Sequence, residues 1–325
     1  MTKNLHVAAL GHALVDIIAP CDESFLADFG LAKGTMRLTS AQEAAALYEK
    51  MAPSVETSGG SAANTCAGIA SFGGKAGFMG KLGRDQFAQV FAHDIRSIGV
   101  AFNPKEASEE ATGTCHILVT PDGERTMNTS LGAAALFSEA DVDREAIEAA
   151  QILYLEGYLF DPIPARAAFY AAAELAKNAG AKVAFTLSDP FCVDRHREGF
   201  LDFISKQVDI VFANEKELLS LYPGASFEEA CTRIKETCQL AAVTRSEKGS
   251  VILSGGDSHT VAAEPIERLV DATGAGDLYA AGFLFGYATG RDLAACGKLG
   301  SIAAAEAISH VGPRPLQSLA KLAAA

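Results

Sequence analysis

The stretch Asp271-Ala-Thr-Gly-Ala-Gly-Asp277, followed at once by Leu278-Tyr-Ala-Ala-Gly-Phe-Leu-Phe-Gly-Tyr287, decides how the rest of the chain is read. Gly274, Ala275 and Gly276 are small enough for the backbone to turn tightly and approach a ligand, and the apolar run after them predicts a buried helix. The first N–H groups of that helix have no intrahelical acceptor, and the helix dipole adds partial positive charge. The turn is therefore a site for an anion such as a phosphate. Asp277 falls in the first turn. A carboxylate there can simply complement the dipole; beside a phosphate cradle it can also take a proton from an attacking alcohol. Donors for a transferred group and a base for its acceptor are what phosphoryl transfer requires.

Working outward, the 325 residues are 49% hydrophobic, ample for one large α/β domain. Lys plus Arg number 27 and Asp plus Glu 40, a net charge of -13 that nucleic acid and anionic membranes would repel, so the expected partner is a small molecule. The seven cysteines are scattered, without a C-x-x-C pair, which predicts reduced thiols and neither a disulfide frame nor a zinc site. The apolar N-terminal run is interrupted by His12 and Asp16 and predicts a first core strand in place of a leader peptide. With no long uninterrupted apolar segment, a soluble, cytoplasmic protein is expected.

The order of elements sets the fold class. Leu5–Leu10 reads as a buried strand, and after residue 150 strands and helices alternate: strands near 152–155, 182–187, 210–212, 241–244 and 250–253, with helices between them. That rhythm predicts a doubly wound, mostly parallel sheet with helices on both faces. Residues 112–120 and 124–131 alternate apolar and polar positions around Pro121-Asp-Gly123, a half-solvated hairpin, with Gly34–Leu38 as its candidate partner strand. The reading is one domain over 1–325, with a small β-sheet lid formed by segments of about 12–58 and 111–132 inserted in it.

Several residues join the glycine turn as candidates. Asp16 lies at or beyond the mouth of the first strand, where open sheets bind ligands, although a turn or cap role accounts for it equally well. Gly59-Gly60 gives backbone freedom, and Asn64 sits one turn into the following helix, where Asn is a poor helix former. Asn214 directly follows a strand with Glu217 three residues on, so both share one helix face; an N-cap with its capping-box partner explains the pair by itself, and Glu217 can also hold Mg2+ through water. Walker A, G-x-G-x-x-G, H-E-x-x-H and EF-hand patterns are absent from the sequence.

Taken together these residues resemble the ribokinase-like, or PfkB, family of carbohydrate and nucleoside kinases. The resemblance runs from about Leu5 to about Gly312. It includes Gly59-Gly60…Asn64…Phe72-Gly73…Gly77…Gly80…Gly83…Asp85 and Asp271-Ala-Thr-Gly-Ala-Gly-Asp277…Gly282. Ala88 and Tyr279 depart from the usual Gly and Phe. The resemblance implies ATP and Mg2+ as cofactors, Asp277 as catalytic base, and Gly274, Ala275 and Gly276 as the anion hole. It also implies Asn214, Thr244 and Gly249 at the nucleotide, Glu217 at Mg2+, and Asp271 with Thr273 at a monovalent cation such as K+. Within the family, Gly11-His-Ala-Leu-Val-Asp-Ile17, Thr112-Gly-Thr-Cys115 and Leu187-Ser-Asp-Pro-Phe191 are most similar to adenosine kinases. This implies that Asp16, Gly59, Gly60 and Asn64 hold a ribose and that the 5′-hydroxyl of adenosine is phosphorylated to AMP. The alternative acceptor is a sugar such as ribose or fructose. Arg125 in the hairpin reads as a solvated lid charge, or more weakly as a phosphate contact. Monomer and homodimer are both open.

Overall fold

The computed structural model describes residues 3–105 and 107–324. Its first half interleaves two sheets. The elements run β1 (Leu5–Leu10), β2 (Leu14–Pro20), α1 (Glu23–Asp28), β3 (Met36–Leu38), α2 (Ala41–Tyr48), β4 (Val55–Gly59), α3 (Ser61–Ser71), β5 (Ala76–Met79), α4 (Gln86–Ser97), β6 (Ala101–Phe102), β7 (Gly113–Val119) and β8 (Arg125–Ser130). The second half is α5 (Arg144–Ala149), β9 (Ala150–Glu156), α6 (Ile163–Asn178), β10 (Lys182–Thr186), α7 (Pro190–Gln207), β11 (Ile210–Asn214), α8 (Glu215–Leu221), α9 (Phe227–Thr237), β12 (Leu240–Thr244), β13 (Ser250–Ser254), β14 (Asp257–Val261), α10 (Ala275–Ala288), α11 (Leu293–Ala307) and α12 (Leu319–Leu322).

Nine strands form the large sheet in the order β14-β13-β12-β11-β10-β9-β1-β5-β6. From β6 to β12 every pairing is parallel, and β13 and β14 add antiparallel to the edge. Alternation along the central strands divides the core. Ala8, Leu10, Leu153 and Leu155 face a layer with Phe169, Phe185, Phe200 and Phe203, whereas Val7, Ala9, Ile152 and Tyr154 face Phe78, Phe212, Leu278 and Phe283. Both faces are thus covered, which is why these strands are nearly continuous in apolar residues. The chain leaves β1 toward β5 on one side and returns to β9 on the other, so the sheet changes winding direction at β1, where doubly wound folds open a ligand crevice.

The smaller sheet has the order β3-β8-β7-β2-β4. The pairing expected for Gly34–Leu38 is present, parallel to β8 through Met36–Leu38. Two expectations change. The β7–β8 hairpin is buried along almost its whole length because it occupies the middle of five strands, where alternation of residue type no longer means alternation of exposure. Asp16 does not sit at the mouth of β1: the chain bends at 11–13 into the smaller sheet, and Asp16 lies within β2, in register with Thr57 of β4 and Cys115 of β7. Among the described residues no helix is long and apolar enough to cross a membrane.

Candidate active site

The Asp271–Asp277 stretch turns as its composition requires. Gly274 adopts φ 78°, a left-handed conformation that a side chain disfavours, and caps α10. The Ala275 amide bonds back to the Ala272 carbonyl at 3.3 Å, which leaves the Gly276 and Asp277 amides without acceptors among the described residues. A side chain at Gly276 would meet nothing within 4 Å, so the approach to these donors is open. The free helix-start amides expected from the sequence are present, displaced one residue along the turn.

Asp277 is held from across the molecule. Its Oδ1 accepts from the Ser61 hydroxyl at 2.6 Å and its Oδ2 from the Asn64 side-chain amide at 3.0 Å, both from the first turn of α3. The Thr65 hydroxyl donates to the Asp277 main-chain oxygen at 3.1 Å, fixing α3 against α10. Burial pushes the Asp277 carboxyl up to about 6, and the Ser61 and Asn64 hydrogen bonds restrain the rise. A carboxyl so placed exchanges protons near neutrality, as a general base must.

Asp16 belongs to the same cluster. It is buried, and desolvation drives its carboxyl up to about 7; the positive charges of Arg314 and Arg125 oppose this, and Asp277 adds to it. Gly59 has no room for a side chain, because one would fall on the Asp16 carboxylate. Asp16, Gly59, Gly60, Asn64 and Asp277, spread over more than 260 positions of sequence, therefore meet at the β2–β4 underside and the starts of α3 and α10.

Three contributors escaped the sequence reading. Arg314 follows α11, and its Nε donates to Asn64 Oδ1 at 3.4 Å while Nη1 pairs with Asp94 Oδ2 at 3.0 Å. With Oδ1 so engaged, the Asn64 amide group is left to face Asp277. Asp94, on α4, also accepts from the Ser58 amide at 2.9 Å. Glu156, at the end of β9, accepts from the His12 amide at 3.3 Å and the Ala62 amide at 2.9 Å, tying the bend after β1 to the start of α3. The available signals were faint: an acid closing an apolar strand at Glu156, and a base between prolines at Pro313-Arg-Pro315.

The second group of candidates lies along the neighbouring strand ends. Asn214 and Thr244 are register partners at the ends of β11 and β12. Asn214 caps α8, its Oδ1 accepting from the Glu217 amide at 2.8 Å, while its own amide donates to Glu217 Oε2 at 2.9 Å. Glu217 is buried and pushed up to about 7 by desolvation, with Asp189 and Asp277 adding to the shift. Each of its oxygens accepts one hydrogen bond from Asn214 and keeps acceptor capacity, which suits it to accept from a water on Mg2+. Gly249 has φ 81°, and its lack of a side chain is explained by the Val261 carbonyl packed against it.

At the loop expected to hold a monovalent cation, the carboxylate has an arginine beside it. Asp271 Oδ1 accepts from the Thr273 amide at 3.1 Å, and Oδ2 accepts from the Gly312 amide at 3.0 Å and stands 2.9 Å from Arg125 Nη2. Arg125 is therefore no solvated charge: it is 7% exposed, because β8 points it inward from the middle of the smaller sheet. A separate open groove of about 680 Å3, lined by Leu82, His93, Arg96 and Lys105 among others, shares no residue with these clusters.

The chain matches known proteins over nearly its whole length. The model of the pfkB family of carbohydrate kinases matches residues 6–319. The structure of an adenosine kinase from Sinorhizobium meliloti superposes with a TM-score of 0.92 at 49% identity, covering 99% of both chains. That of a probable sugar kinase from Rhizobium etli CFN 42 gives 0.93 at 48%, covering 100% of this chain and 98% of the other. Adenosine kinase of Dictyostelium discoideum is 29% identical over 95% of this chain and 96% of its own length. With the glycine turn, its carboxylate and the doubly wound sheet in place, the chain belongs to the pfkB carbohydrate kinase family and is an ATP-dependent phosphotransferase.

Proposed function

We propose that this kinase transfers the γ-phosphoryl group of ATP to the 5′-hydroxyl of adenosine, giving AMP and ADP. The observation that carries the reading is the meeting of Asp277 with Asn64 and Ser61, beside Asp16. It puts a base, an amide that both donates and accepts, and an acceptor-only carboxylate on one wall. A ribose diol needs such a wall, its hydroxyls donating to Asp16 and exchanging hydrogen bonds with Asn64. Asp277 takes the 5′-hydroxyl proton as that oxygen forms its bond to the γ-phosphorus and the bond to the β-phosphate oxygen breaks. The Gly276 and Asp277 amides, with the turn of Gly274 and Ala275, receive the charge on the transferred group.

The nucleotide would lie along Asn214, Thr244 and Gly249. Mg2+, when bound with ATP, neutralises phosphate charge, and Glu217 would hold it through a water. The segments 12–58 and 111–132 act as a lid, carrying Asp16 and Arg125 over the crevice to exclude water. Support for adenosine over a sugar comes from Thr112-Gly-Thr-Cys115 and Leu187-Ser-Asp-Pro-Phe191, and from the 49% identical relative that bears the name adenosine kinase. The wall of Asp16 and Asn64 also suits the vicinal diol of a sugar, and the 48% identical relative is named a probable sugar kinase. ADP release from ATP and Mg2+, compared across adenosine, other nucleosides, ribose and fructose, tests the proposal. Adenosine should give the highest kcat/KM; a sugar above it would replace the acceptor and leave the chemistry.

A further inference from the structure

A monovalent cation at Asp271 and Thr273 meets an obstacle in the side chains present. Asp271 already has a cation beside it: Oδ1 accepts from the Thr273 amide, and Oδ2 accepts from the Gly312 amide and faces Arg125. The two ionic side chains are only 6% and 4% exposed. Among the described residues no hydrogen of Arg125 is aligned on an acceptor, so the 2.9 Å approach is a pairing of charges. A second cation on this carboxylate would face the guanidinium with little water to screen the repulsion. The residues present do not fit K+.

We propose that Arg125 is the built-in cation of the glycine turn, supplying at Asp271 the positive charge that a bound monovalent ion would supply. An unneutralised carboxylate at the root of this turn would repel incoming phosphates; the guanidinium cancels that charge. The same carboxylate accepts from the Thr273 and Gly312 amides, which hold the turn to the segment after α11. Arg125 arrives from β8 of the smaller sheet, whereas a solvent ion would arrive independently of it. The hairpin tip is close by as well, since a side chain added at Gly123 would come within 3.9 Å of the Val270 carbonyl, next to Asp271. The charge balance of the phosphate-facing turn is thereby linked to the position of the smaller sheet.

The inference rests on the kinase reading and not on adenosine as acceptor, and its test keeps the two apart. ADP release and thermal melting are measured in KCl and in choline chloride at matched ionic strength, the melting without any acceptor. The parent enzyme should differ by less than about twofold in rate between the salts and should not shift in melting temperature. Arg125→Met should lose about tenfold or more in choline, regain severalfold in KCl, and melt higher in KCl than in choline. Asp271→Asn should be slow and indifferent to the salt. Loss of turnover in Arg125→Met alone fits any contact of this arginine with phosphates; rescue by K+ fits only the shared place. A parent enzyme activated severalfold by K+, or a folded Arg125→Met that ignores K+ in both rate and melting, overturns the proposal. If the Met variant does not fold, Arg125→Gln replaces it, and the response of the parent still decides. Failure of adenosine as acceptor leaves the melting result standing.

Discussion

Among the carboxylates in the first turn of a helix, two at the surface contrast with two that are buried. Glu43 of α2 and Glu229 of α9 close capping boxes with Ser40 and Ser226 at the surface, where the cap amides and hydroxyls hold both acids below their ordinary range, Glu43 to about 2. Glu217 closes the same kind of box on Asn214, and Asp277 occupies the first turn of α10. These two are driven upward, to about 7 and about 6, by burial. Glu43, Glu229 and Glu217 share the capping box, while Asp277 is held by Ser61 and Asn64 of α3; the upward shift of the last two comes from burial. A cap in water satisfies a helix, and the same cap at the carboxyl edge of the sheet also stores a charge near its titration point.

The sharpest way to break this contrast is at Asp277. Asp277→Asn keeps the shape and removes the proposed base, so kcat should fall by about 10^2 to 10^4-fold with circular dichroism unchanged. The carboxyl is raised from 3.8 to about 6, so its favourable contribution to folding is complete below about pH 4 and is lost as pH rises through 6. The variant should therefore melt no lower than the parent at pH 7. For the parent, kcat/KM should fall as pH drops below about 6, where Asp277 gains a proton. A profile flat down to pH 5 would remove Asp277 as the base.

Next in size is the link that carries Asn64. Arg314→Met frees the Asn64 amide to rotate and removes a positive charge facing Asp16, so the acceptor KM should rise by about tenfold while the KM for ATP stays. Asp16 also faces Arg125 and Asp277, so its carboxyl should rise further in the variant and the loss should deepen toward lower pH. Arg314→Lys should recover part of it; equal loss at every pH would reduce Arg314 to a packing residue. Smaller again is Glu217→Gln, expected to raise the apparent KM for Mg2+ severalfold and to leave acceptor binding alone. An unchanged Mg2+ titration would return Glu217 to its role as a cap.

What could be read from the sequence follows the same division. Helix starts, the parallel sheet and the glycine turn are written in local periodicity and small residues, so Ser40, Asp85, Asn214 and Gly274 all fall where their types predict. The convergence of Asn64 with Asp277 entered through motif resemblance; no local pattern encodes a hydrogen bond between residues 213 positions apart. Arg314 and Glu156 lie outside any local rule, since each acts through amides and carboxyls that only the folded chain brings near. Arg125 was misjudged for a related reason. Alternation suggested a solvated strand face, but the strands added on both sides of the hairpin left its charge without water and in need of Asp271.

The smallest expected effect tests the other half of the contrast. Ser40→Ala removes the hydroxyl that accepts from the Glu43 amide at 3.2 Å and donates to the Glu43 carboxylate at 2.8 Å, at an exposed helix start. Losing such a cap should lower the melting temperature by on the order of a degree or two in a chain of this size. It should leave kcat, both KM values and the pH profile untouched, because α2 offers nothing to the crevice. Asn214→Ala removes the corresponding cap from α8 and should act on the apparent Mg2+ affinity as well as on melting. If Ser40→Ala altered the Mg2+ dependence as Asn214→Ala does, the distinction drawn between surface caps and crevice caps would fail, since α2 could then affect the crevice only through general loosening of the fold.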